Sequence, residues 1–301
     1  MKGFLYKIFK FFLILLITVS AAFGITYMLS YRNVSNIKLD KDTHILICGD
    51  SHTKTALNDS IIPNSLNIAH SSEHYLYSYN VLRVLLANNP QITTVLLGMS
   101  YHNLSTFYDD YIFDQAMTQY MYPRYAAVLD INSIPLILNH NFEGFTTDFK
   151  DIYHGAYRHI NSRKLDDYSF IGWFYKSKRN NKNDSTINDA LEKHYYRSGQ
   201  DLYSISEFQL IYLRKIMKLC IYQDVKLKLI NCPLSTEYHS QVPTEFLEYY
   251  DNLNSEFGQF ILDYHDFTVP ENCWGDGDHL NLSGSMIFSE FVVREMASQS
   301  R

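Results

Sequence analysis

The chain has 301 residues, 46% of them hydrophobic and 19% charged, which excludes a disordered chain and leaves ample material for a packed core. Its 26 basic and 32 acidic residues give a formal net charge of −6, the wrong sign for a protein whose main partner is nucleic acid. Aromatic residues make up 15%, with 25 Tyr against 2 Trp, more phenols than an average domain needs.

Residues 11–29 (FFLILLITVSAAFGITYML) carry no charge. As a helix rising ~1.5 Å per residue they nearly cross a hydrocarbon core of ~30 Å. Lys2, Lys7 and Lys10 precede the run and the first acid is Asp40, so the positive-inside rule keeps the N-terminus in the cytoplasm. The small residues Val19 to Ala22 would also suit a signal peptidase, but the apolar run continues past them. That favours an uncleaved single-pass anchor over residues 1–31, in the cytoplasmic (inner) membrane. Residues 32–301 then form one region in the periplasm or outside the cell. Without the three leading lysines it holds 23 basic and 32 acidic residues, −9, which makes neither nucleic acid nor an anionic lipid face its expected partner.

After a polar stem (32–42), Thr43–Cys48 is a short apolar run ending at Gly49, as a buried strand would. Further strands are expected at Ser65–Ala69, Thr93–Leu97, Lys226–Asn231 and Phe260–Leu262. Helices are expected at Tyr75–Ala87, where Leu76, Tyr79, Leu82 and Leu86 share a face, and near 205–222, 243–256 and 283–297. Strands alternating with helices imply an α/β fold whose parallel sheet is covered on both faces. Residues 104–200 lack this alternation and hold 11 of the 25 Tyr. They are read as one long, mostly helical insertion, with a polar and mobile stretch at 176–189. The four cysteines, Cys48, Cys220, Cys232 and Cys273, have no C-x-x-C spacing, which argues against a zinc ribbon or a thioredoxin-like site. Cys48 reads as a buried thiol and Cys232–Cys273 as a candidate disulfide.

Two constellations carry chemistry. Gly49-Asp50-Ser51-His52 follows the first strand, at the sheet edge where ligands of open α/β folds bind. Backbone N–H groups of such a turn can face a developing oxyanion. Taken alone, the motif is also what a helix N-cap looks like. Asp276-Gly277-Asp278-His279-Leu280-Asn281 precedes the last helix. There Asp276 can orient the His279 ring, leaving its second nitrogen to take a proton from a serine hydroxyl. Together the two motifs give the chain order Ser…Asp…His, which one wound sheet can close into a triad. His70 and His74 are spaced as two ligands on one helix face, but no third ligand is evident and no metal or other cofactor is expected. His52 and His102 are candidates for lining the cleft.

GDSH after the first strand, with D-x-x-H before the last helix, resembles the SGNH (GDSL-like) hydrolase superfamily. The tail DYHDFTVPENCWGDGDHLNLSGSMIFSEF is similar to its membrane-anchored branch, which includes exopolysaccharide O-acetylation proteins and the D-alanyl-transfer protein of teichoic acid synthesis. The resemblance covers about 43–103 and 225–297. It implies a flavodoxin-like three-layer α/β/α sandwich, with Ser51 as nucleophile, His279 as general base and Asp276 as its orienting partner. It also implies an oxyanion hole built from the second and third strand ends. In the second block, Asn67 to Ser72, Ser72 stands where the family has Gly. The third block, Gly98 to Asn103, lacks a plain G-x-N-D, which leaves Asn103 or Ser100 to supply a donor. The expected chemistry is serine-dependent O-acetyl transfer onto an envelope or capsular polysaccharide, with a polytopic membrane acyltransferase as partner. The alternatives are an esterase or deacetylase on the same polymer and an inactive glycan-binding accessory protein. The tyrosines near Ser51, Tyr101 and those of 108–125, are candidates for an acceptor-glycan surface.

Overall fold

The computed structural model describes residues 2–197 and 201–298. A five-stranded parallel sheet has the order β2-β1-β3-β6-β7, built from β1 (Ile45–Cys48), β2 (Ser65–Asn67), β3 (Thr94–Gly98), β6 (Lys226–Asn231) and β7 (Ile261–Asp263). The remaining two, β4 (Tyr196–Arg197) and β5 (Asp201–Leu202), make a small antiparallel ribbon. The chain steps from β1 out to the edge strand β2, then returns past β1 to β3, β6 and β7. The order therefore reverses between β1 and β3, and a crevice opens at their C-terminal ends.

Alternate strand residues feed two separate apolar clusters, as period-two side chains must. Leu46, Cys48, Val95, Leu97, Leu227 and Leu229 join the larger cluster with α3 (Tyr75–Asn88) and α10 (Glu207–Tyr222). Ile47, Leu96 and Ile230 join the smaller one with Leu57, Phe288 and Val292, beside α2 (Ser51–Ala56) and α13 (Leu282–Ser298). Burying each such Leu or Ile is worth roughly 1.5–3 kcal/mol relative to leaving it exposed.

The long connection from β3 to β6 is helical. It holds α4 (Asp110–Phe113), α5 (Gln115–Tyr125), α6 (Ser133–His140), α7 (Phe142–Thr147), α8 (Phe149–Arg158) and α9 (Asp184–Tyr195). The last residues of the expected insertion, 198–200, lie outside the described residues. The polar stretch 176–189 makes backbone hydrogen bonds to the segment around α13's start. Leu282 N–H donates to Ser177 O at 2.8 Å and Asn181 N–H to Gly275 O at 3.1 Å. Asn183 then caps α9, its side chain accepting from Thr186 N–H at 3.1 Å, so a polar composition here marks a helix start.

The apolar N-terminal run lies in a longer helix, α1 (Lys2–Val34), which among the described residues is the one helix long and apolar enough to cross a membrane. Its first part makes no packing contact, whereas Ser30 and Val34 are buried against the rest of the chain. Asn33 Nδ2 donates to His159 O (2.7 Å) and Ser162 O (2.9 Å). The candidate Cys232–Cys273 bridge does not form: all four cysteines are free and buried, Cys232 within the smaller apolar cluster and Cys48 and Cys220 within the larger.

Candidate active site

Gly49 ends β1 with φ +128°, a backbone conformation that side chains rarely adopt. A Cβ there would lie 3.0 Å from Gly98 N, and a Cβ on Gly98 would lie 1.9 Å from Thr53 Oγ1. Two glycines at the ends of β1 and β3 thus let α2 start against the sheet edge. Asp50 caps that helix, its Oδ1 accepting from His52 N–H at 3.0 Å. Its Oδ2 accepts from His102 Nε2 (2.7 Å), from Asn103 Nδ2 (2.8 Å) and from the Tyr108 hydroxyl. Burial opposes the Asp50 charge, but His102, His52 and Tyr108 outweigh it and hold the carboxyl well below its usual range.

Ser51 is the first residue of α2 and is half-buried. Its N–H makes no hydrogen bond among the described residues, as the first helical N–H has no partner four residues back. Ser72 lies in the turn after β2 with φ +56°. This is the left-handed region that favours glycine. The Ser72 N–H is likewise without a partner among the described residues.

The loop before α13 is closed by an antiparallel bridge between Trp274 and Leu280, and Gly275 N–H donates to His279 O at 2.7 Å. This fold-back sets His279 Nδ1 2.8 Å from Asp276 Oδ1 and 3.0 Å from Asp278 Oδ1. The other ring nitrogen, Nε2, is buried and unpartnered. Burial pulls the His279 pKa down, but the Asp278 charge and the hydrogen bonds to Asp276 and Asp278 outweigh it and hold the ring well above the ordinary value. Asp278 in turn is held well below the carboxylate range, since His279 and His52 outweigh its burial. The Asp278 Oδ2 is 3.0 Å from His52 Nε2.

Ser51, Ser72, Tyr108, Asp276, Asp278 and His279 line one cavity of about 510 Å³. Its outer wall comes from the β3–β6 connection, through Arg179–Asn181 and the α9 residues Thr186, Asp189, Ala190, Lys193 and His194. A cavity of this size suits a small ligand or one sugar unit.

The structure brings Ser51, His279, Asp276 and Ser72 together, and it places the other expected site residues elsewhere. Asn67 is buried, with Nδ2 donating to Leu57 O (2.7 Å) and Oδ1 accepting from Ala69 N–H, so it ties α2 to the end of β2. Asn103 gives its Nδ2 to Asp50, while its Oδ1 accepts from Ser100 N–H at 2.7 Å. Ser100 is buried, and neither Ser100 nor Asn103 lines the cavity. Tyr101 packs on Tyr250, His239 and His265 rather than on the cavity. Tyr122 and Tyr125 are buried core, leaving Tyr108 as the cavity tyrosine of that stretch.

Sequence reasoning missed the second carboxylate, Asp278, and the histidine His194. Asp278 was legible as the residue before His279; His194 had no signal, because only the chain's return through α9 brings it in. His52, His102 and His194 form a stack, with ring centroids 4.0 Å apart for His52–His102 and 4.7 Å for His102–His194. One ligand atom from each of the three lies within 4.8 Å of the others. The His102 and His194 planes are 20° apart, and each of the three rings has one nitrogen within hydrogen-bond distance of a neighbour: His52 Nε2 of Asp278, His102 Nε2 of Asp50 and His194 Nδ1 of the Tyr238 hydroxyl. Burial, with His52 beside it, lowers the His102 pKa to about 4, and burial with His102 beside it lowers that of His194 as well. His70 and His74 precede α3 and share no helix face: His74 caps α3 through Leu76 N–H and sits 3.2 Å from Asp109. Burial lowers the His70 pKa to about 3.

No family model matches the chain, and no curated protein matches it.

Proposed function

We propose that this protein is an SGNH (GDSL-like) serine acyltransferase that moves an acyl group, most simply acetyl, onto an envelope or capsular polysaccharide. The observation that carries the reading is that Ser51 and the carboxylate-backed His279, whose buried Nε2 has no hydrogen-bond partner, line one cavity. Ser51 Oγ attacks the donor carbonyl while His279 takes its proton. The oxyanion faces the free N–H groups of Ser51 and Ser72. As the intermediate collapses, the leaving oxygen takes the proton back from His279 and an acyl-serine remains. A sugar hydroxyl, deprotonated by the same nitrogen, then takes the acyl group and restores Ser51. Apolar clusters fed by alternate strand residues support the finer expectation of a flavodoxin-like sandwich. The α1 helix supports placement at the cytoplasmic membrane, facing outward, beside a polytopic acyltransferase that would supply the acyl group.

Hydrolysis differs only in water taking the sugar's place, so an esterase of the same polymer is the nearest alternative. A glycan-binding accessory role is favoured by one observation: Asn103, the candidate third oxyanion donor, is held by Asp50. Losing one donor in such a hole costs ~3 kcal/mol of transition-state stabilisation. The test is covalent labelling by a fluorophosphonate probe, together with acetyl transfer or release from an activated ester, for the wild type and Ser51→Ala. The expected result is labelling at Ser51 and a loss of turnover on the order of 10³-fold or more in the variant. Equal turnover in both would refute the serine mechanism, whereas absence of labelling would favour the accessory role.

A further inference from the structure

We propose that α6 and the turn into α7 rest in the outer interface of the membrane that α1 crosses, with Ile131, Ile134, Leu138 and Phe142 set into the headgroup–acyl boundary. The inference rests on the reading of α1 as an anchor and is independent of the chemistry at Ser51.

The first observation is the position of this segment. The helix α1 is fully exposed from Gly3 to Ala21, and its first ring contact with the rest of the chain is Phe23, stacked on Phe149 at 4.9 Å. The uncharged run Phe11–Leu29 rises roughly 28 Å as a helix, close to the thickness of a hydrocarbon core. The outer boundary of the bilayer therefore falls between Phe23, where the rest of the chain first packs on α1, and Leu29, where the uncharged run ends. One turn beyond Phe23, the Tyr27 hydroxyl donates to Leu129 O. The β3–β6 connection is thus tied to α1 at Leu129 and again at Phe149, and α6 and α7 lie between these two ties. The α8 helix continues away from the membrane alongside α1, with Thr26 hydrogen-bonded to Tyr153 and Asn33 to His159 O.

The second observation is chemical. Residues 131–142 (INSIPLILNHNF) contain no Asp, Glu, Lys or Arg. Ile137 is buried in the core, and the stripe beside it is also apolar. There Ile131 is 78% and Phe142 67% exposed, and Ile134 and Leu138 are partly exposed at helical spacing. Asn132, Asn139 and His140 are exposed on the same segment, so its outward surface is amphipathic, with an apolar stripe beside polar residues. Beside an emerging membrane helix, lipid is the occupant that buries that stripe without any electrostatic attraction.

The experiment uses the full chain in phosphatidylcholine–phosphatidylglycerol vesicles, with a bimane label on Phe142→Cys and, as the water-exposed reference, on Glu192→Cys. Both positions are exposed and the native thiols are buried, so labelling does not disturb the core. At position 142 we expect iodide quenching weaker on the order of threefold than at 192, and quenching by brominated lipid at 142 alone. Retention of the chain through a carbonate wash, with equal iodide quenching at both positions, overturns the proposal and leaves the anchor standing. Release of the chain by the wash overturns the anchor and the proposal together.

Discussion

Ser72→Gly isolates what the turn after β2 contributes. Ser72 holds φ +56°, and its hydroxyl makes no hydrogen bond among the described residues. Holding an L-residue in the left-handed region costs roughly 1–2 kcal/mol. Glycine removes that strain but adds about 0.4–1 kcal/mol of unfolded-chain entropy. The net expectation is a stabilisation of about 0.5–1 kcal/mol, or about 1–3 °C in Tm for a chain of this size. Because the proposed oxyanion donor is the backbone N–H, kcat/KM on a small ester should stay within about twofold. Scanning calorimetry and initial rates on one preparation read both quantities. A lower Tm would refute the strain argument. A tenfold loss of kcat/KM, about 1.4 kcal/mol, would show that the Ser72 hydroxyl itself is used.

Two further predictions follow from the charges. A general base works when deprotonated, and His279 is held well above the ordinary histidine value by Asp278 and Asp276, so activity should rise with pH through a midpoint above 6.5. Asp278→Asn should move that midpoint toward acid more than Asp276→Asn does, because the Asp278 charge is the larger support; a pH–kcat/KM profile unchanged in Asp278→Asn would contradict this. Glu73 accepts from Ser78 Oγ and Tyr125 Oη, each at 2.6 Å, yet burial outweighs these bonds and pushes its pKa up to about 7. Between about 4.5 and about 7 the folded state therefore binds more protons than the unfolded one, so this group's contribution to stability falls as pH rises through that window and levels off above it. Glu73→Gln should match the wild type near pH 4 and exceed it by up to about 3 kcal/mol at pH 8. Denaturant melts at the two pH values check this, and equal gaps at both would contradict it.

Much of the sheet was legible because its strands are short apolar runs that end at turn residues. Lys226–Asn231 is found as expected, and the strand expected at Thr93–Leu97 is found one residue later, at Thr94–Gly98. The tyrosine excess was legible as a count but not as a purpose. Of the 11 tyrosines of 104–200, Tyr108, Tyr122, Tyr125, Tyr168 and Tyr195 are buried, so five of the rings fill the interior, and one of their hydroxyls, that of Tyr108, steadies the turn before Ser51 through Asp50. Composition reports that a side chain has an apolar face and a polar tip; only packing decides which of the two is used.

The local pattern by itself determined Ser51, Asp276 and His279 as the residues to watch, because a Gly turn after a strand and an Asp–His pair three apart place side chains through short-range geometry alone. Tertiary structure decided what surrounds them. Asn103 was turned away from the cavity by Asp50, a partner more than fifty residues distant, and Asp278 was placed between His279 and His52. The return of α9 brought His194 into the wall. Contacts of that kind depend on where the chain comes back, and no spacing along the sequence encodes it.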